Sequence, residues 1–212
     1  MRKYCITLQP FLKNELIFKT FGMNLAEEKQ LVRQIKGNPE CFGLVFDAYY
    51  KTIFNYIFKR IGDYDISRDI AADTFLKAYL KIQSFVWKDI SLLPWLYRIA
   101  TNEVNYYYRK NKTSELLKET FFTQAEKFFE FNDYQSEKQL MDQELQLNAD
   151  FAKAQQCLKR IDMKYQEVLS LRYFEKKSVL EIMEILDKKE GTIKSLLSRG
   201  LEKLKIEFNS AT

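Results

Sequence analysis

The stretch SVLEIMEILDKKEGTIKSLLSRGLEKL, residues 178–204, holds two helical patterns separated by a break. Ser178 followed by Glu181 is a capping box, in which each side chain bonds an orphan backbone N–H at the helix start. Val179, Ile182, Met183 and Leu186 come at i, i+3, i+4 and i+7, one apolar stripe on a short helix. Asp187-Lys188-Lys189 interrupts the pattern. A second helix restarts at Glu190, whose carboxylate suits the positive end of a helix dipole. Ile193, Leu197, Leu201 and Leu204 form its apolar side, while Thr192, Lys194, Ser195, Ser198 and Arg199 fall mostly on other faces. A short helix, a tight turn and a second helix showing hydroxyls and cations is the arrangement that reads a DNA major groove. Two surface helices of a bundle would carry the same pattern, so the rest of the chain decides.

Composition narrows the choice. Apolar residues make up 46% of the 212, enough for real cores, and the 6 glycines and 3 prolines are too few for a turn-rich β protein. The expected fold is all-α. Histidine is absent, which excludes histidine triads, imidazole bases and His-ligated metals. Cys5, Cys41 and Cys157 form no CxxC pair, so neither a zinc site nor a disulfide framework is expected. No run of eighteen apolar residues exists, and charges interrupt the basic start before any signal-peptide core forms. A cytoplasmic protein is expected.

The net charge of +5 is unevenly spread. Residues 25–112 carry 14 basic and 10 acidic side chains, residues 113–150 carry 3 and 9, and residues 151–212 carry 13 and 9. Two mildly basic blocks, suited to a polyanion, are joined by an acidic one. In the first block a helix is expected over Leu25–Lys36, with Asn24 able to cap it. Asn38-Pro39-Glu40 reads as N-cap, proline at N1 and acidic first turn of a helix running to Ile61, where Gly62 stops it. Further helices are expected over Asp65–Ile82 and, capped by Ser91 or Asp89, up to Lys112, with Ser84–Ser91 a loop. Residues 113–150 read as a flexible acidic linker, and the second unit includes a helix over Met163–Phe174 that Asp162 can cap. Residues 1–24 form an extension, and Met23 reads as an alternative start that would make residues 1–22 dispensable.

Two further blocks point to a family. Asp69-Ile70-Ala71-Ala72-Asp73-Thr74-Phe75-Leu76-Lys77-Ala78 and Trp95-Leu96-Tyr97-Arg98-Ile99-Ala100-Thr101-Asn102 resemble bacterial RNA polymerase sigma factors of the sigma-70 family. The lack of a domain between the two halves is similar to the extracytoplasmic-function group. Leu171-Arg172-Tyr173-Phe174 and Gly191-Thr192-Ile193-Lys194-Ser195 resemble that group's promoter-reading helix–turn–helix.

The resemblance implies that residues 25–112 are a four-helix region 2 and 151–212 a region 4. Core RNA polymerase and promoter DNA would be the partners, with an anti-sigma factor as regulator. No cofactor, no small-molecule ligand and no chemistry of the chain's own is implied. Asp69 and Asp73, one turn apart, would meet arginines of the polymerase clamp helices, although an ordinary solvated face looks the same. Family relatives often carry Gln where Ala72 stands, so one polar contact is missing. Trp87, Lys88, Arg98, Asn102, Tyr106, Arg109 and Lys110 would serve the melted −10 element, Asn102 holding an extruded base through its amide. Trp95 and Ile99 belong to the core, and at least one of Tyr106, Tyr107 and Tyr108 must be exposed. Asn105 stands where many relatives have Asp. Lys189, Glu190, Thr192, Lys194, Ser195 and Arg199 would read the −35 element, with Leu196 where a family arginine contacts phosphate. A stand-alone helix–turn–helix regulator is the alternative, but it leaves Asp69–Ala78 without a task.

Overall fold

The computed structural model describes residues 23–113 and 149–210. The proposed extension and alternative start, and nearly all of the acidic linker, lie outside the described residues. Four helices come first: α1 (Leu25–Gly37), α2 (Gly43–Ile61), α3 (Tyr64–Lys81) and α4 (Leu92–Thr113). Four more follow: α5 (Ala149–Arg160), α6 (Met163–Leu169), α7 (Val179–Leu186) and α8 (Glu190–Ser210). Every regular element among the described residues is helical, and none is long and apolar enough to cross a membrane.

Local chemistry places the ends. Asn24 caps α1 by accepting from Ala26 N and Glu27 N, and Glu27 returns a bond to Asn24 N. Asn38 caps a 3-10 turn, Pro39–Phe42, which leads straight into α2. Ser91, not Asp89, caps α4, through Leu93 N at 3.2 Å. The capping box at Ser178 and Glu181 is present in both directions. Three expectations need correction. Asp162 makes no side-chain cap bond, and α6 ends at Leu169, where the backbone widens into a π turn over Ser170–Phe174. Leu201 is also turned outward, 41% exposed, and Gly200 takes the buried place beside it. A Cβ at Gly200 would lie 3.2–3.3 Å from Leu169 and Tyr165, so α8 approaches α6 at a glycine rather than through a leucine knob.

Both halves share one continuous core. Leu31, Ile35, Val45, Ile53, Ile57, Phe75, Leu96 and Val104 belong to it from the first half, and Leu158, Val168, Leu171, Ile182, Ile185 and Ile193 from the second. Arg60 is buried inside it, 1% exposed. Its guanidinium donates to Tyr56 Oη at 3.2 Å and Asn105 Oδ1 at 3.1 Å, and it lies over the Tyr56 ring. A buried cation needs such partners, because unpaired burial costs several kcal/mol.

Gly62 shows how the halves meet. It ends α2 at φ 70°, the left-handed region that favours glycine. Gln155 of α5 donates from Nε2 to Phe58 O at 3.1 Å and Lys59 O at 2.9 Å, satisfying last-turn carbonyls of α2. A Cβ at Gly62 would sit 2.7 Å from Gln155 Oε1. Gly62→Ala therefore combines backbone strain with displacement of a buried amide, and a destabilisation of about 1–3 kcal/mol is expected. Urea unfolding of the variant checks this.

Candidate nucleic-acid interface

Loop 85–91 and α4 carry the residues assigned to the melted strand, and Ser91 joins them. Phe85 packs on Trp95 with ring centroids 4.9 Å apart, which fixes the root of the loop. Trp87 is half-buried; its Nε1–H donates to Asp89 Oδ1 at 3.0 Å and its ring meets Phe85 edge-on. Asp89 adopts φ 54°, a conformation that short polar side chains tolerate. Its carboxyl is held below the usual range by bonds from Lys29 first and Trp87 second. Lys88 is exposed, and its ammonium faces solvent from the loop.

A groove of about 620 Å³ runs between loop and helix, lined by Phe85, Lys88, Ser91, Pro94, Trp95 and Arg98 among others. Beyond Arg98 a second recess of about 310 Å³ contains Asn102 and Asn105. Arg98 borders both, standing between the groove of Lys88 and the recess of Asn102. Tyr106 continues the same helix, 54% exposed, with the Lys77 ammonium 5.7 Å from its ring centroid. Tyr107 and Tyr108 are half-buried, and Tyr108 donates to Arg60 O at 2.8 Å. Tyr106 is thus the outward member of the triplet. Arg109 and Lys110 are exposed beyond it. Ile99 lies in the core as expected, while Trp95 is only half-buried and walls the groove.

Asp69 and Asp73 occupy adjacent turns of α3, Asp69 half-buried beside Arg68 at 3.8 Å and Asp73 exposed. The Asp73 carboxyl is raised above the ordinary range, by desolvation first and by the Glu103 carboxylate second. Lys77 bonds Glu103 rather than Asp73, leaving the i+4 pair of α3 unmade. Ala72 is buried, so no polar group replaces the missing glutamine.

Lys189, just before α8, is exposed; on α8, Glu190, Thr192, Lys194 and Arg199 are exposed and Ser195 is half-buried. Glu190 pairs with Lys194 at 2.7 Å, and this bond holds its carboxyl below the usual range. The turn before α8 closes on Asp187 at φ 54°, ψ 49°, a left-handed conformation that short polar side chains tolerate. Leu196 is half-buried against the core rather than displayed to a groove.

Sequence reasoning missed how the second half seats itself on the first. Arg98 donates from Nε to Ile185 O at 2.9 Å and from Nη2 to Glu184 O at 3.0 Å. It thereby caps the C-terminus of α7, where carbonyls are orphaned and the dipole favours a cation. Glu175, nearly buried, accepts from Lys59 Nζ at 3.0 Å and Tyr97 Oη at 2.7 Å. Burial, and then Glu175, push the Tyr97 phenol well above its ordinary range. Asn105 bridges Arg60 to Glu167, accepting from the first and donating to the second. Glu167, Glu175 and Lys59 had no sequence signal beyond being charged residues near apolar ones.

Comparison with known proteins matches the two halves separately. The family model described as Sigma-70 region 2 matches residues 45–114, and that described as Sigma-70, region 4 matches residues 151–204. The chain is 31% identical over 186 residues to the ECF RNA polymerase sigma factor SigW of Bacillus subtilis, spanning 86% of this chain and 97% of that one. Among solved structures, CnrH in complex with the cytosolic domain of CnrY aligns with TM-score 0.60 at 18% identity, over 87% of this chain and 99% of that one. The sigma factor RpoE of Bartonella quintana, solved with the anti-sigma factor NepR, aligns with TM-score 0.53 at 20% identity, over 79% and 96%. Both likenesses are of fold.

Proposed function

The chain belongs to the extracytoplasmic-function group of the sigma-70 family, and we propose a residue-by-residue division of that family's work. As an RNA polymerase sigma factor it binds core polymerase, directs promoter recognition and promotes DNA melting. Sigma factors are non-enzymatic regulators of initiation. Asp69 and Asp73 dock on the clamp helices. Lys88, Arg98, Asn102, Tyr106, Arg109 and Lys110, with Trp87 at the loop, take the −10 strand. Lys189, Thr192, Lys194, Ser195 and Arg199 take the −35 duplex, with Glu190 orienting Lys194. An anti-sigma factor is the expected regulator, as in the two solved relatives of this fold. A stand-alone helix–turn–helix regulator is not favoured, because the relationship to SigW runs through both halves.

The observation that carries the −10 assignment is Arg98 lining two adjoining hollows, one with Lys88 and the other with Asn102. Strand capture needs cations for phosphates and an amide for a base edge close together, and these neighbouring hollows offer both. Run-off transcription with core polymerase and mapped start sites tests the reading. Failure of the holoenzyme to initiate at any discrete promoter would sink it.

One consequence follows from Arg98. Its Nε and Nη2 are turned to α7 carbonyls, so a bidentate grip on a DNA phosphate through the same edge competes with the seat of α7 on α4. Asn105 gives a handle on that seat. Asn105→Asp restores the residue common in relatives, but it sets a carboxylate against Glu167 in place of an N–H donor. Like charges at this range cost about 1–4 kcal/mol at an effective dielectric near 20, part of it offset by a direct pair with Arg60. The variant is expected to expand in small-angle scattering while its helical circular dichroism is unchanged.

A further inference from the structure

Helix α1 carries no residue assigned to polymerase or promoter, yet it grips the base-reading loop at both ends. Gln83 Nε2 donates to Ile35 O at 3.3 Å, and Lys36 Nζ donates to Phe85 O at 2.9 Å. Lys29 pairs with Asp89 at 2.7 Å. The strongest hold is Glu28. It is 1% exposed and accepts from Tyr49 Oη, from Ser91 Oγ at 2.9 Å and from Leu92 N at 2.5 Å. No cation is among these three partners. A carboxylate buried in that way is costly unless donors surround it, and the positive end of α4 supplies the rest of the compensation. Burial, and then Glu28, push the Tyr49 phenol above its ordinary range.

The place of this grip gives it leverage. Ser91 and Leu92 are the joint between loop 85–91, with Trp87 and Lys88, and α4, with Arg98 and Asn102. A helix is a stiff rod rising about 1.5 Å per residue, so a small tilt at Leu92 moves Asn102 relative to the loop. We propose that Glu28 is a positioning residue for −10 discrimination, acting through Ser91 and Leu92 to hold the loop and α4 in one register. Base selection depends on this register, since a base edge is read by hydrogen bonds of narrow geometry. The inference rests on the assignment of these hollows to the −10 strand.

The test uses holoenzyme assembled from the full chain. Open-complex formation is measured by permanganate reactivity on a cognate promoter, on versions changed at single −10 bases, and on versions changed at −35 bases. Glu28→Gln keeps volume and shape but turns one acceptor into a donor facing Leu92 N or the hydroxyls. The ratio between cognate and −10-changed promoters is expected to fall about tenfold, the scale of one misoriented buried hydrogen bond. The −35 ratio and the affinity for core should stay as they are. Lys29→Ala, at a partly exposed pair that cannot unfold the chain, should lower the −10 ratio by a smaller factor of about two to three. Unchanged −10 discrimination in Glu28→Gln, or parallel loss of −10 and −35 discrimination, overturns the proposal. Trp87→Ala and Lys88→Ala are run beside them. If these loop variants also leave the −10 ratio intact, the strand assignment itself is wrong and the proposal falls with it.

Discussion

Replacing Asp69 and Asp73 together by arginine is expected to weaken binding to core polymerase by roughly 30-fold or more, with helicity unchanged. Each reversal turns a charge-assisted contact into like-charge repulsion, plausibly about 1–3 kcal/mol apiece, and about 1.4 kcal/mol is tenfold in affinity. The two sites are a single turn apart, so the sum need not be additive. Local electrostatics favour the reading. Asp73 is exposed, yet its carboxyl is raised by desolvation and by Glu103, and Lys77 spends its ammonium on Glu103. An arriving guanidinium would therefore relieve an ionised group that the free protein holds at a disadvantage. A pull-down titration with core polymerase measures the loss. Wild-type affinity in the double variant would return the pair to an ordinary solvated face.

Most of the helical plan was legible because its signals are local. Asn24, Ser178 and Ser91 cap where short polar side chains precede apolar spacing, and Gly62 stops α2 through its left-handed backbone. The failures also have local causes. Asp162 precedes a helix as a cap should, but its side chain makes no such bond, and Leu201 kept the apolar spacing while Gly200 took the contact. At Gly200 the closeness of α6, a tertiary fact, overrode a regular pattern.

The site was legible in kind but not in company. The residues named for DNA are mostly exposed, and Tyr106 is the outward tyrosine. Hydrogen bonds between residues sixty or more apart left no trace in spacing. Glu28 reads as an ordinary first-turn acid of α1, though it is buried under the start of α4. Arg98 reads as a free cation, though it closes the end of α7. Asn105 is the instructive case. The sequence shows only that Asn105 stands in place of an aspartate common in the family, while the amide accepts from Arg60 and donates to Glu167, a pair of bonds that a carboxylate could not make.

Asn102→Ala and Arg199→Ala should fail at different steps of initiation. Asn102 is exposed at the mouth of the recess beyond Arg98, and its proposed partner is a base edge that exists only after strands separate. Loss of an amide that reads a base edge costs about 1–3 kcal/mol, so open-complex formation should drop roughly 5- to 150-fold while initial duplex binding holds. Arg199 is exposed on α8, where the proposed partner is a phosphate or groove edge of the intact duplex. Its removal should weaken closed-complex binding across sequences and shallow the salt dependence by about one unit of slope. The two variants leave opposite signatures: normal duplex protection without permanganate-reactive thymines for Asn102→Ala, and reduced protection with proportionate melting of what is bound for Arg199→Ala. Arg98→Ala separates the remaining ambiguity, because it removes both a proposed phosphate contact and the cap on α7. It should therefore relax the closed arrangement in scattering and still lose melting. If Asn102→Ala and Arg199→Ala instead fail at the same step, the assignment of one surface to each promoter element is wrong.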